Sequence, residues 1–109
     1  MRELKFSDPV FKNGLNMTVR RGTRWDIGKN QPILIANGNQ QHSKPGTVKW
    51  TLTKRFKDIT ARDLEQHHSA IQTWPHLYDS MRSIYQEFTS DEICTLVCFE
   101  FATLEERNE

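Results

Sequence analysis

Two segments of this chain alternate in polarity residue by residue, and that alternation limits the possible folds more than any other feature. In residues 47–56, Val48, Trp50 and Leu52 fall on one side of an extended chain and Thr47, Lys49, Thr51, Thr53 and Arg55 on the other. In residues 17–21, Met17 and Val19 oppose Thr18 and Arg20. A period of two belongs to a half-buried strand, and threonine suits a pleated surface. Leu4-Lys5-Phe6, residues 32–36 and residues 93–102 add three more strand-like runs, the last of them apolar on much of both faces. Pro32 confines its run to a strand start.

Helical spacing is confined to a few places. Thr60 and Asp63 stand at capping-box distance ahead of Leu64, His68 and Ile71. Thr73 then precedes a stronger helix, in which Trp74, Leu77, Tyr78, Met81, Ile84, Tyr85 and Phe88 form one stripe. Such an aromatic stripe is a core face. A brief helix is also expected after Ser7 or Asp8, with Pro9 in its first turn, through Val10, Phe11 and Lys12 to Asn13-Gly14. Residues 37–46 are polar and rich in turn formers, the pattern of a long loop. The order β, short α, β, β, β, α, α, β excludes a doubly wound sheet. It predicts an α+β domain: a small, mostly antiparallel β-barrel with two consecutive helices and a short N-terminal helix.

At 109 residues this reads as a single domain with one core, and residues 103–109 as a frayed acidic tail. Charge divides the chain. Residues 1–55 hold eleven Lys and Arg against three acids, and residues 56–109 hold four against eleven. Such asymmetry suggests a polyanionic partner, nucleic acid before membrane. Arg20, Arg21, Arg24 and Trp25 are the densest cluster. Arginine reads phosphate with a planar fork and tryptophan gives a base a stacking surface. The competing reading is a solvated strand end whose arginines pair with acids of the other half.

Other classes receive no support. No apolar run approaches the roughly 20 residues of a membrane helix, and the N-terminus has no signal-peptide core, so a cytoplasmic location is expected. Cys94 and Cys98 share a strand face about 13 Å apart, too far for a disulfide, and read as buried reduced thiols. Adjacent His67 and His68 face different ways on a helix, so no metal is expected, nor any cofactor. His42 and His76 carry no assigned role.

The element order, together with Asn13-Gly14-Leu15-Asn16-Met17-Thr18-Val19-Arg20 and the closing strand Cys94-Thr95-Leu96-Val97-Cys98-Phe99-Glu100-Phe101, resembles the ASCH domain family of the PUA-like β-barrel superfamily. The resemblance implies RNA binding by kinship to PUA. Some small bacterial members are N4-acetylcytidine amidohydrolases, in which a lysine, a threonine and a distant glutamate are implicated. Thr18 and Arg20 meet the family pattern, whereas its lysine position falls on Leu15, or on Asn16 with one deletion. Lys12 and Glu65 are the nearest substitutes.

Three functions follow as expectations. The first is binding of RNA or a modified nucleotide beside Thr18-Val19-Arg20, with Arg20, Arg21, Arg24, Lys49, Lys54 and Arg55 on phosphates and Trp25 on a base. The second is amidohydrolysis of an N4-acetylcytidine-like nucleoside, with Thr18 as nucleophile or orienter and Lys12 as base. Replacing the family's lysine by Leu or Asn removes a base, a loss of about 10²- to 10⁴-fold in rate. The third is a protein-interaction module that uses the oppositely charged halves.

Overall fold

In a computed structural model, which describes residues 2–7, 10–37, 42–67 and 73–102, the alternating segments are strands of one sheet. The strands are β1 (Glu3–Phe6), β2 (Leu15–Arg21), β3 (Gln31–Asn37), β4 (His42–Arg55) and β5 (Ile93–Phe101). Their order across the sheet is β1-β3-β4-β5-β2. Of these strand pairs β1–β3 is parallel, and β3–β4, β4–β5 and β5–β2 are antiparallel. The sheet curls into a half-barrel. The apolar run of β5 lies between β4 and β2, which is why residues 94–99 are buried on both faces.

Each face carries its own apolar cluster. Leu4, Phe6, Ile33, Ile35, Val48, Val97 and Phe99 fill one, with Phe11, Trp25, Ile27 and Phe101 packed at its margin. Met17, Val19, Cys94 and Leu96 begin the other, where Phe56, Leu64, Leu77, Met81 and Phe88 close over them. Opposed residues of paired strands share a face. The register Thr18↔Val97 and Arg20↔Thr95 therefore turns Thr18 and Arg20 toward the first cluster, and Met17↔Cys98 and Val19↔Leu96 turn the alternate residues toward the second.

Four expectations need correction. The alternation of β4 does not define one continuous apolar face. A bulge between Val48 and Trp50 places Val48 opposite Phe99 but Trp50 and Leu52 opposite Cys98 and Leu96. The extra residue reverses the pleat, so the apolar side of the first half of β4 becomes the opposite side of the second.

The expected loop at residues 37–46 is largely strand: β4 begins at His42, and Ser43 to Gly46 pair with β3 (residues 38–41 lie outside the described part). A Cβ on Gly46 would stand 2.4 Å from Ile35 Cδ1 and 2.7 Å from the Glu100 carbonyl oxygen, so this glycine permits a close approach of strands.

The N-terminal helix is absent from residues 10–12, while Asp8 and Pro9 lie outside the described part. The buried Asn16 side chain takes over that backbone. It accepts from the Lys12 N–H at 2.8 Å and donates to the Lys12 carbonyl at 3.0 Å. Phe11 meanwhile meets Phe6 and Phe101 edge-on, both at 5.0 Å.

The first of the two consecutive helices is, where described, a 3₁₀ turn at Asp63–Gln66. Its expected cap is present: the Thr60 N–H donates to Asp63 at 2.9 Å, and the Asp63 N–H to the Thr60 hydroxyl at 3.2 Å. His67 is already extended and bridges to Met17 of β2, which ends the turn. His68 and Ile71 lie outside the described residues. Among the described residues one α-helix remains, α1 (Trp74–Ile84), capped by Thr73 and carrying Pro75 in its first turn. The stripe ends early, because Tyr85 is extended and Glu87 adopts φ +56°. Ile84 is 67% exposed, while Tyr85 and Phe88 still reach the second cluster.

Candidate functional site

The sheet does not close. Among the described residues no backbone ladder joins β1 to β2, the two edge strands. A side chain spans the opening instead: Arg20 Nη2 donates to the Lys5 carbonyl at 2.8 Å, and its guanidinium lies 4.7 Å from the centre of the Phe6 ring. Strand pairing has fixed where Arg20 starts, and the exposed edge of β1 supplies the carbonyl it reaches.

Along this opening runs a cleft of about 590 Å³ lined by Arg2, Glu3, Lys5, Arg20, Arg21, Arg24, Trp25 and Tyr85. Five are cations and one is a carboxylate. Glu3 accepts from the Ser43 hydroxyl at 3.3 Å, and Arg21 is neutralised by an ion pair with Glu92. Arg24 is exposed and makes no hydrogen bond or ion pair among the described residues. Trp25 is half-buried against the first apolar cluster, and the Arg2 guanidinium lies 4.2 Å over its ring.

Arg20 is the unusual group. Its Nε is buried with no hydrogen-bond partner, and among the described residues no carboxylate lies within 4 Å of the guanidinium. Burial pulls its pKa below the ordinary arginine value, and Tyr85 opposes that shift. Buried charges are ordinarily paired, because an uncompensated one keeps its desolvation cost. A half-buried guanidinium ringed by more cations is a site that favours an anion.

The basic residues anticipated from sequence separate into two groups. Arg20, Arg21, Arg24 and Trp25 share the cleft. Lys49, Lys54 and Arg55 do not line it. Lys49 pairs with Glu100 at 3.3 Å and Lys54 with Asp63 at 2.7 Å, while Arg55 donates to the Asp91 carbonyl at 2.7 Å. Arg2, Lys5 and Tyr85 were missed. Lys5 could have been found from the alternation of Leu4 and Phe6 around it; nothing local marks Arg2 or Tyr85.

Thr18 is 5% exposed, faces the first cluster and lines neither the cleft nor the smaller cavity. No basic side chain hydrogen-bonds its hydroxyl among the described residues. Lys12 is elsewhere: its Nζ donates to the Glu65 carbonyl at 3.1 Å, and it borders a separate cavity of about 250 Å³ with Lys44, Pro45 and Phe101. Asn16, at one of the two positions of the family's lysine, spends its amide on the Lys12 backbone. Both cysteines are free and buried, and burial pushes each thiol up to about 11. Among the described residues no helix is long and apolar enough to cross a membrane, and no three His, Cys, Asp or Glu side chains are grouped to hold a metal ion.

The backbone has solved counterparts. An ASCH domain from Lactobacillus crispatus JV V101 superposes with a TM-score of 0.63 at 7% identity, covering 79% of this chain and 63% of that one. A protein from Enterococcus faecalis V583 assigned to the family DUF984 superposes with a TM-score of 0.58 at 12% identity, covering 80% and 63%. This chain thus spans 63% of the length of each. No family model and no curated protein matches the sequence. The architecture is that of an ASCH domain.

Proposed function

On this ASCH fold, we propose that the chain binds single-stranded RNA or a modified nucleotide in the basic cleft beside the Thr18-Val19-Arg20 strand. The observation that carries the reading is Arg20, a half-buried guanidinium with no carboxylate partner among the described residues, in a cleft with four more cations. The kinship of ASCH domains to PUA modules supports the same class of ligand. Arg2, Lys5, Arg20 and Arg24 hold phosphates, and a base stacks on the Arg2 plane or displaces it from Trp25.

Neither alternative gains an observation. The described residues bring no base to Thr18. The charge that would dock oppositely charged copies is partly consumed within the chain, through Arg21–Glu92, Lys49–Glu100 and Lys54–Asp63.

Fluorescence anisotropy of a labelled ten-nucleotide RNA across a range of salt concentrations tests the proposal. Four phosphate contacts at about −0.7 each give a log–log slope near −3. Arg24→Ala lowers affinity for all sequences alike and reduces the steepness by about 0.7. A slope near zero, or an Arg24→Ala variant indistinguishable from the parent, contradicts it.

A further inference from the structure

The distribution of unpaired positive charge bears on which phosphate this cleft takes. An extended strand lays single charges along a track, and a protein that follows it needs a line of available cations. Among the described residues the cations of the second half of β4 do not continue such a line from the cleft. Lys49, Lys54 and Lys57 pair with carboxylates, and Arg55 is committed to the Asp91 carbonyl. Lys29 and Lys44 lie outside the cleft lining, whereas Arg2, Lys5 and Arg24 are focused on one opening with Arg20, and Glu3 is the single carboxylate among the described lining residues.

The inner wall is preset. Phe6 covers the Arg20 guanidinium and the Lys5 carbonyl fixes Nη2, so the side chain needs no ordering when a ligand arrives. A focused, preset group of cations matches a compact, multiply charged anion better than a singly charged link in a chain. A phosphodiester offers one charge and two free oxygens. A phosphomonoester offers about −1.5 to −2 at pH 7 and three oxygens.

We infer that the cleft recognises a terminal phosphate, the phosphomonoester of a nucleotide or of an RNA end, with Arg20 at its inner wall and Arg2, Lys5 and Arg24 around it. This rests on the proposed nucleotide-binding reading and narrows it. Free nucleotides and RNA ends share the chemistry, so the test must separate them.

Calorimetric titrations would compare one RNA sequence bearing a 5′-phosphate, a 3′-phosphate or hydroxyls at both ends, together with a nucleoside and its 5′-monophosphate. The inference expects one or more phosphorylated members to bind about tenfold tighter than the hydroxyl counterpart at pH 7.5. The advantage should shrink at pH 5.5, below the second phosphate ionisation near 6, and should narrow in Lys5→Gln and Arg24→Ala. The phosphorylated member that gains identifies the source. Equal affinity of every phosphorylated member and its hydroxyl counterpart overturns the inference and leaves RNA binding standing. Absence of binding by all members overturns both.

Discussion

Arg20 concentrates the argument at the scale of single residues. It latches β2 to β1 through the Lys5 carbonyl, yet its charge has no carboxylate partner among the described residues. The guanidinium also lies over the Phe6 ring, so its structural and ligand-binding contributions have to be separated by substitution. Arg20→Met retains an apolar stem, loses one hydrogen bond and the guanidinium contact with Phe6, and removes the desolvated charge. Its unfolding free energy should stay within about 1 kcal/mol of the parent in urea denaturation, while RNA affinity falls at least tenfold. A large loss of stability with affinity intact would make Arg20 a structural latch and nothing more. Asn16 shows the opposite logic: its buried amide is consumed by local backbone, so nothing remains for chemistry. The raised thiol pKa values of Cys94 and Cys98 likewise keep both neutral near pH 7.

Among the elements, strands were more legible than helices. The alternation at residues 17–21 placed Thr18 and Arg20 on one face correctly, because β2 runs without a bulge against β5. The alternation at residues 47–56 was equally regular and misled, because period-two reasoning cannot see an extra residue between Val48 and Trp50. Pro45-Gly46 read as loop, although a close strand approach is what demands the glycine. The Thr60–Asp63 cap was correctly seen, but its helix is a single 3₁₀ turn because His67 pairs with β2 instead. Such tertiary competition leaves no local mark. In the candidate site, Arg20, Arg21, Arg24 and Trp25 were visible as a cluster; their separation from Lys49, Lys54 and Arg55 depends on partners far away in sequence.

One of those partners makes a pH prediction. Glu92 joins the turn before β5 to the end of β2. The Thr89 N–H and then Arg21 hold its carboxyl below the ordinary glutamate value. A depressed folded pKa contributes stability above the unfolded value, near 4.3, and loses it as pH falls through the folded one. Melting temperature should therefore drop less between pH 5 and about 3 in Glu92→Gln than in the parent. Identical acid profiles would show that the ion pair contributes nothing.

For the molecule as a whole, the near-neutral total charge conceals an uneven surface. Among the described residues, basic and acidic halves of the chain meet through three ion pairs, Arg21–Glu92, Lys49–Glu100 and Lys54–Asp63. Of the charge they leave over, Arg2, Lys5, Arg20 and Arg24 gather where the half-barrel fails to close. The opening has a structural origin, since among the described residues β1 lies at one end of the sheet beside β3, β2 at the other beside β5, and no ladder joins them. The same topology that leaves β1 and β2 unjoined brings Arg2 and Lys5 into one cleft with Arg20 and Arg24. The central claim is that this opening is where an anionic ligand binds. A proton–nitrogen NMR titration of the labelled protein with a short single-stranded RNA tests it most directly. The account predicts shifts concentrated at residues 2–6, 20–25 and Tyr85, with residues 49–55 little changed. Shifts confined to residues 49–55 or to the cavity beside Lys12 and Lys44, or a spectrum that does not move, would contradict it.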